Sequence, residues 1–161
     1  MKKIISVVAV IALLIGGYYL YMYWALGNDS EEAQTIVGEN LEGEADPSRM
    51  TLDMTVWNWQ RSVYSDGREV RPLRPGIFTL TFKNDGTFTA ATDCNSGGGR
   101  YTAGADRTIA FTDVFQTEMF CEGSQESEFF SYLTNASGYL FTSRGILVLD
   151  LKFDSGSVYF R

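Results

Sequence analysis

Histidine is absent from this chain, cysteine occurs twice and proline three times. The first absence removes the commonest general base and the commonest metal ligand together, so a cysteine nucleophile has no imidazole partner here. Basic residues are scarce as well. Thirteen Lys and Arg stand against twenty Asp and Glu, for a net charge of −7. With no basic patch to follow a phosphate backbone, nucleic acid is not an expected partner.

What the chain does have is one long apolar run at its N-terminus. Met1-Lys2-Lys3 precedes Ile4 to Leu26, which is uncharged and ends in Tyr18, Tyr19, Tyr21, Tyr23 and Trp24. As a helix at 1.5 Å per residue it is about 34 Å long, enough to cross a bilayer core. Both lysines lie ahead of it and no basic residue follows until Arg49. The positive-inside bias then puts the N-terminus in the cytoplasm and the remainder outside. A cleaved signal peptide is the competing reading, because Ala25-x-Gly27 is a passable cleavage site, and it would make the protein secreted. The bulky aromatics before that site favour a retained anchor, since Tyr and Trp settle at the headgroup level. No cysteine lies near the end of the run, which excludes a lipidated N-terminus. The expected organisation is a transmembrane anchor over 1–26, an acidic flexible linker over 27–53 and a folded domain over 54–161.

Most of the acidity belongs to the linker. Asp29, Glu31, Glu32, Glu39, Glu42, Glu44 and Asp46 face Arg49 alone, whereas Thr51 to Arg161 carries thirteen acids and ten bases. The linker has no aromatics and few branched aliphatics, so it cannot bury enough surface to fold alone. It reads as a solvated spacer.

The domain reads as strands and tight turns. Phe78, Leu80 and Phe82 alternate with Thr79 and Thr81, and Asp85-Gly86 supplies the positive φ of a hairpin before Thr87 to Thr92 returns. Further strands are expected over Thr55–Tyr64, Arg100–Ala103, Thr108–Phe111, Tyr139–Thr142, Ile146–Phe153 and Val158–Phe160, with Arg71 to Gly76 as a loop. One stretch breaks the rhythm. Ser124 can cap a helix with Glu126 and Glu128 in its first turn, a stripe of Phe129, Tyr132, Leu133 and Ala136, and Gly138 as its stop. The fold class is therefore α+β: a small, strongly bent antiparallel sheet, barrel-like, packed with one α-helix and preceded by the transmembrane helix.

Asp93-Cys94-Asn95-Ser96-Gly97-Gly98-Gly99-Arg100 is the segment with the most chemistry in it. As a loop, its backbone N–H groups and Arg100 form a candidate anion-binding nest, with Asn95, Gly97, Gly98, Gly99 and Arg100 as the candidate binding residues. A plain glycine-dependent turn, in which Asn95 bonds backbone groups, is the simpler reading. No Lys-Ser/Thr follows, so it is not a P-loop. Cys94 and Cys121 invite a disulfide in an oxidising compartment, and two buried thiols are the alternative. Asp113, Glu118, Glu122 and Glu126 are the carboxylates that could pair for glycoside hydrolysis, although Glu126 suits the helix start better. A Ser-Lys dyad could draw only on Lys83 or Lys152. No catalytic residue, cofactor or metal site is expected from these residues.

The stretch from Trp57 to Phe160 resembles the META domain family. The resemblance rests on Trp57, Phe78-x-Leu80-x-Phe82 with Asp85-Gly86, and Asp93-Cys94-Asn95 with a glycine-rich segment running to Tyr101. It continues through Thr117-x-Met119-x-Cys121, then Glu126, Phe129 and Leu133, and Gly145-x-Leu147-x-Leu149. Two positions depart from the usual pattern: Asp93 where glycine is common, and Phe120 where alanine is common. The resemblance implies a small β-rich domain of envelope or secreted proteins, linked to stress tolerance and without established catalysis. The expected function is a non-catalytic, membrane-anchored binding or stress-tolerance module whose partner is an envelope protein or a small ligand. If it binds, the Gly97–Arg100 loop and aromatics at the sheet rim are the expected contacts. The alternative is a binder of lipid or another small apolar molecule inside the barrel.

Overall fold

The structure is a computed structural model and describes residues 18, 20–22 and 45–161. Apart from four helical positions, Tyr18, Leu20, Tyr21 and Met22, the anchor expected over 1–26 lies outside the described residues, as does the linker before residue 45. Among the described residues no helix is long and apolar enough to cross a membrane. The chain divides into units Met1–Gly43 and Glu44–Arg161, and the nine strands of the described residues belong to the second.

Those strands are β1 (Val56–Tyr64), β2 (Glu69–Val70), β3 (Thr79–Phe82), β4 (Thr87–Ala91), β5 (Ser96–Ala103), β6 (Ile109–Gln116), β7 (Ala136–Phe141), β8 (Leu147–Leu151) and β9 (Gly156–Phe160). One helix, α1 (Glu126–Asn135), falls between β6 and β7. The strands pair antiparallel in the order β6-β5-β4-β3-β1-β9-β8-β7, with β2 added to β1. The two edges come back to each other: Thr108 bridges Gly138, and Tyr139 N donates to Arg107 O at 2.9 Å. The sheet is thus a strongly bent, nearly closed barrel.

β1 makes the bend possible. Its residues up to Asn58 pair with β3 and those from Trp59 on with β9, and a register shift between Trp59 and Arg61 lies within the β9 pairing. An extra residue of this kind bends and twists a strand. Trp57 and Trp59 point inward on the period of two, and the shift then turns Ser62 inward. The hairpin forms as expected, Thr79–Phe82 against Thr87–Ala91, with Gly86 at φ +80°.

The interior is solid. Trp59 packs on Phe78, Phe129 and Tyr132 with ring centroids 5.2 to 6.0 Å apart, and Phe111 packs on Phe82 and Phe88 at 5.9 and 5.0 Å. These side chains form one cluster with Leu80, Leu133, Leu147, Leu149, Val158 and Phe160. A barrel interior able to hold a lipid or apolar molecule was the alternative expectation, and among the described residues aromatic side chains and the apolar face of α1 pack into that space.

Several boundaries differ from the sequence reading, among them β5, which starts at Ser96 rather than Arg100, and β6, which runs to Gln116 rather than Phe111. Residues 45–53, expected to end the flexible linker, form 3-10 turns at Pro47–Arg49 and Leu52–Met54, with Leu52 buried in the core. Leu52 O also accepts from Trp57 Nε1 at 2.6 Å, so folded structure begins ahead of Met54. The helix ends at Asn135 rather than at Gly138, because Ala136 is already extended and starts β7. Phe153, expected at the end of a strand, sits exposed at φ +59° in the turn between β8 and β9.

Candidate functional site

The corner between β4 and β5 is built by Thr92. Its Oγ1 accepts from Asn95 N at 2.9 Å and from Cys94 N at 3.3 Å, while it donates to Asn95 O at 2.7 Å. Folding back this way aims three consecutive side chains at the segment between β6 and α1. Cys94 is disulfide-bonded to Cys121, with Cα atoms 5.8 Å apart. Asn95 Oδ1 accepts from Thr117 Oγ1 at 2.7 Å and Met119 N at 2.9 Å. Its Nδ2 donates to Met119 O at 2.7 Å and Glu126 Oε2 at 2.8 Å. Asp93 accepts from Ser124 Oγ at 2.5 Å and Gln125 N at 3.1 Å, placing a carboxylate at the N-terminus of α1. Ser124, expected as the cap, lies one residue ahead of the N-cap Gln125, which makes no side-chain cap bond, and Ser124 Oγ accepts from Glu126 N at 3.1 Å.

The loop after β2 joins the same assembly. Arg74 Nη2 donates to Asp93 O at 3.0 Å, Gln125 Nε2 donates to Arg71 O at 3.0 Å, and Leu73 N donates to Gln125 Oε1 at 2.7 Å. Three connections (71–76, 92–95 and 117–125) therefore interlock, leaving a shallow depression lined by Leu73, Arg74, Asp93, Cys121 and Ser124.

The glycines play a different part from the one expected. Gly97, Gly98 and Gly99 do not form a loop or nest: they lie inside β5, paired with β4, and Gly97 and Gly98 pair with β6 as well. None has a positive φ, and amides engaged in a ladder cannot converge on an anion. Their size has a packing reason. A Cβ on Gly97 would collide with Phe115 O and come within 2.7 Å of Phe130 Cζ. Arg100 is exposed on the same strand, opposite Thr87 and Thr112, about 16 Å along from Asn95 at strand spacing. Of the candidate residues, the structure brings Asn95, Cys94 and Cys121 together and leaves Arg100 apart. Asn95 is 4% exposed and its two amide hydrogens and two carbonyl lone pairs are all used, so it has nothing left for a ligand.

The other candidates are dispersed. Asp113 sits at φ +52° where β6 bulges, Glu118 and Glu122 are exposed, and Glu126 is engaged by Asn95. Lys152 Nζ donates to Thr134 O at 2.8 Å near the C-terminus of α1. Among the described residues no cluster of three or more His, Cys, Asp or Glu side chains could hold a metal. Sequence reasoning missed Asp93 and Thr117 as holders of this corner. It also missed a polar chain in which Tyr64 Oη donates to Glu128 Oε1 at 3.2 Å and lies 3.5 Å from Tyr132 Oη, while Trp59 Nε1 donates to Ser62 Oγ at 3.0 Å. Burial pushes the Tyr132 hydroxyl far above the ordinary tyrosine range, so it stays a neutral donor.

Comparison with known proteins agrees with this architecture. The family model described as META domain matches residues 50–160. An NMR structure of a protein from Burkholderia xenovorans is similar at 22% identity and a TM-score of 0.57, covering 68% of this chain and 81% of that one. A crystal structure of a DUF4847 family protein from Bacteroides vulgatus is similar at 23% identity and a TM-score of 0.52, covering 68% of this chain and 92% of that one. At these identities the likeness is one of fold. No curated protein matches the chain.

Proposed function

We propose, since the chain belongs to the META domain family, that it is a membrane-anchored extracytoplasmic META-type domain serving as a non-catalytic binding or stress-tolerance module of the cell envelope. The observation that carries the non-catalytic reading is the fate of its most chemical segment. Asp93, Cys94 and Asn95 spend their polar capacity on the segment from Thr117 to Glu126. A general acid or nucleophile needs an atom free to meet substrate, and these atoms are engaged. The anchoring reading rests on the apolar run from Ile4 to Leu26 behind two lysines.

Fractionation with protease shaving tests the topology. Full-length protein should sediment with membranes, and external protease should remove the folded domain while leaving an N-terminal fragment. Cytosolic recovery of the intact chain would refute it. Crosslinking in intact cells followed by affinity capture tests the binding role, with a reproducible envelope partner as the expected result. Turnover of envelope glycans or peptides by the purified protein would overturn the non-catalytic assignment.

A further inference from the structure

We propose that the Cys94–Cys121 bond is a reversible redox latch in which Cys121 is the exchanging sulfur, a site that takes a mixed disulfide with an incoming thiol, while Cys94 stays in place. The two sulfurs have unlike surroundings. Cys121 lines the shallow depression and Cys94 does not. Cys94 is seated in the corner, its Sγ 3.1 Å from Met119 O and 3.5 Å from Asn95 Nδ2. Once the bond has broken and Cys94 is a thiol, Met119 O can accept its proton.

The exchange balances with a dithiol as reductant. One thiolate of the dithiol attacks Cys121 Sγ, the S–S bond breaks, and its electron pair leaves on Cys94, which takes a proton from water. The second thiol, deprotonated, attacks the mixed disulfide and expels the Cys121 thiolate, which is protonated in turn. Two electrons have passed: the protein holds two thiols and the reductant one disulfide.

The release that follows is local. Thr117 and Met119 remain bonded to Asn95, and Ser124 and Gln125 remain bonded to Asp93, whether or not the sulfurs are joined. Between these clamps lie Phe120, Cys121, Glu122 and Gly123, where the hydrogen bond among the described residues is Ser124 N to Cys121 O at 3.3 Å. Breaking the disulfide frees this four-residue tip, and with it a phenylalanine ring that is 91% exposed, while barrel and helix stay folded.

The test uses the full chain in detergent micelles, reduced with dithiothreitol, pulsed with N-ethylmaleimide and read by peptide mass spectrometry alongside amide hydrogen exchange. Cys121 should be alkylated roughly tenfold or more faster than Cys94. Protection should fall at 120–123 and persist in β1, β3, β4 and α1. Equal labelling rates, faster labelling of Cys94, or loss of protection throughout the barrel would each overturn the proposal. Sub-stoichiometric dithiothreitol quenched in acid should trap the mixed disulfide on Cys121, and trapping it on Cys94 would also refute the assignment.

Discussion

Replacing Asn95 with alanine removes four hydrogen bonds at once and leaves their partners behind. The amide and carbonyl of Met119, the hydroxyl of Thr117 and the carboxylate of Glu126 each lose a partner at 2.7 to 2.9 Å. A neutral bond contributes about 1 kcal/mol net and one to a charged group about 2 kcal/mol, which sums to about 5 kcal/mol. Water can reach the part-exposed Thr117 and Glu126 ends, so the expected loss is about 3–5 kcal/mol. For a domain of this size that lowers Tm by about 12–20 °C. Thermal and urea unfolding of Asn95→Ala against the parent protein, both oxidised, measures it. Asn95→Asp supplies an internal check, because it keeps the acceptor positions and sets a second carboxylate against Glu126. Its deficit should be larger at pH 7 than at pH 4, where carboxylates begin to protonate. A loss below about 1 kcal/mol for Asn95→Ala would refute the view that this side chain secures the segment before α1.

Removing the bridge in a Cys94→Ser, Cys121→Ser double variant should cost about 3.5 kcal/mol for a loop of 27 residues, and denaturant unfolding should still show a cooperative native state. Gly97→Ala should destabilise by about 2 kcal/mol or more, since its Cβ meets Phe115 O and the Phe130 ring, and a shifted urea midpoint would report it. Phe120→Ser should stay within about 0.5 kcal/mol of the parent because the ring is exposed, and a larger change in Tm would mean that it packs in solution. The side-chain hydrogen bond from Thr87, followed by that from its backbone N–H, holds the Asp85 carboxyl below its ordinary value. A folded-state pKa lowered in this way adds stability above the unfolded value near 4, and that stability is lost as pH falls through the folded pKa. NMR titration should therefore give Asp85 a lower midpoint than in Thr87→Val, and equal midpoints would refute the assignment.

The strands were legible wherever burial imposes a period of two. Phe78 to Phe82, the Asp85-Gly86 turn and the tryptophans of β1 all fall where alternation puts them. The helix stripe of Phe129, Tyr132, Leu133 and Ala136 is likewise buried, and the structure adds Phe130. Reading failed where one residue type serves two purposes. Glycine marks both a turn, through its freedom at positive φ, and a crowded strand, through its missing Cβ. Nothing local distinguishes the two in Ser96-Gly97-Gly98-Gly99, because the atoms that forbid a side chain come from Phe115, Phe88 and Phe130 elsewhere in the chain. The linker boundary failed for a related reason: Leu52 is a single apolar residue without a periodic neighbour, and it is buried against a core drawn from the rest of the domain.

Asp93 shows how an isolated departure from a family pattern can be absorbed by the fold. A carboxylate next to a buried cysteine corner would be costly if unpaired. Here Ser124, Gln125 N and Arg74 surround it, so the charge is offset at the positive end of α1. The same carboxylate thereby joins the loop after β2 to the start of the helix, while Asn95 joins β5 to the segment before it. The barrel interior is packed with aromatic side chains, and most of its strand edges are paired. Three of its connections are locked together around one disulfide, and Arg74, Cys121 and the exposed Phe120 lie on them. The disulfide, Arg74 and the exposed Phe120 therefore share one junction, which lies away from Arg100.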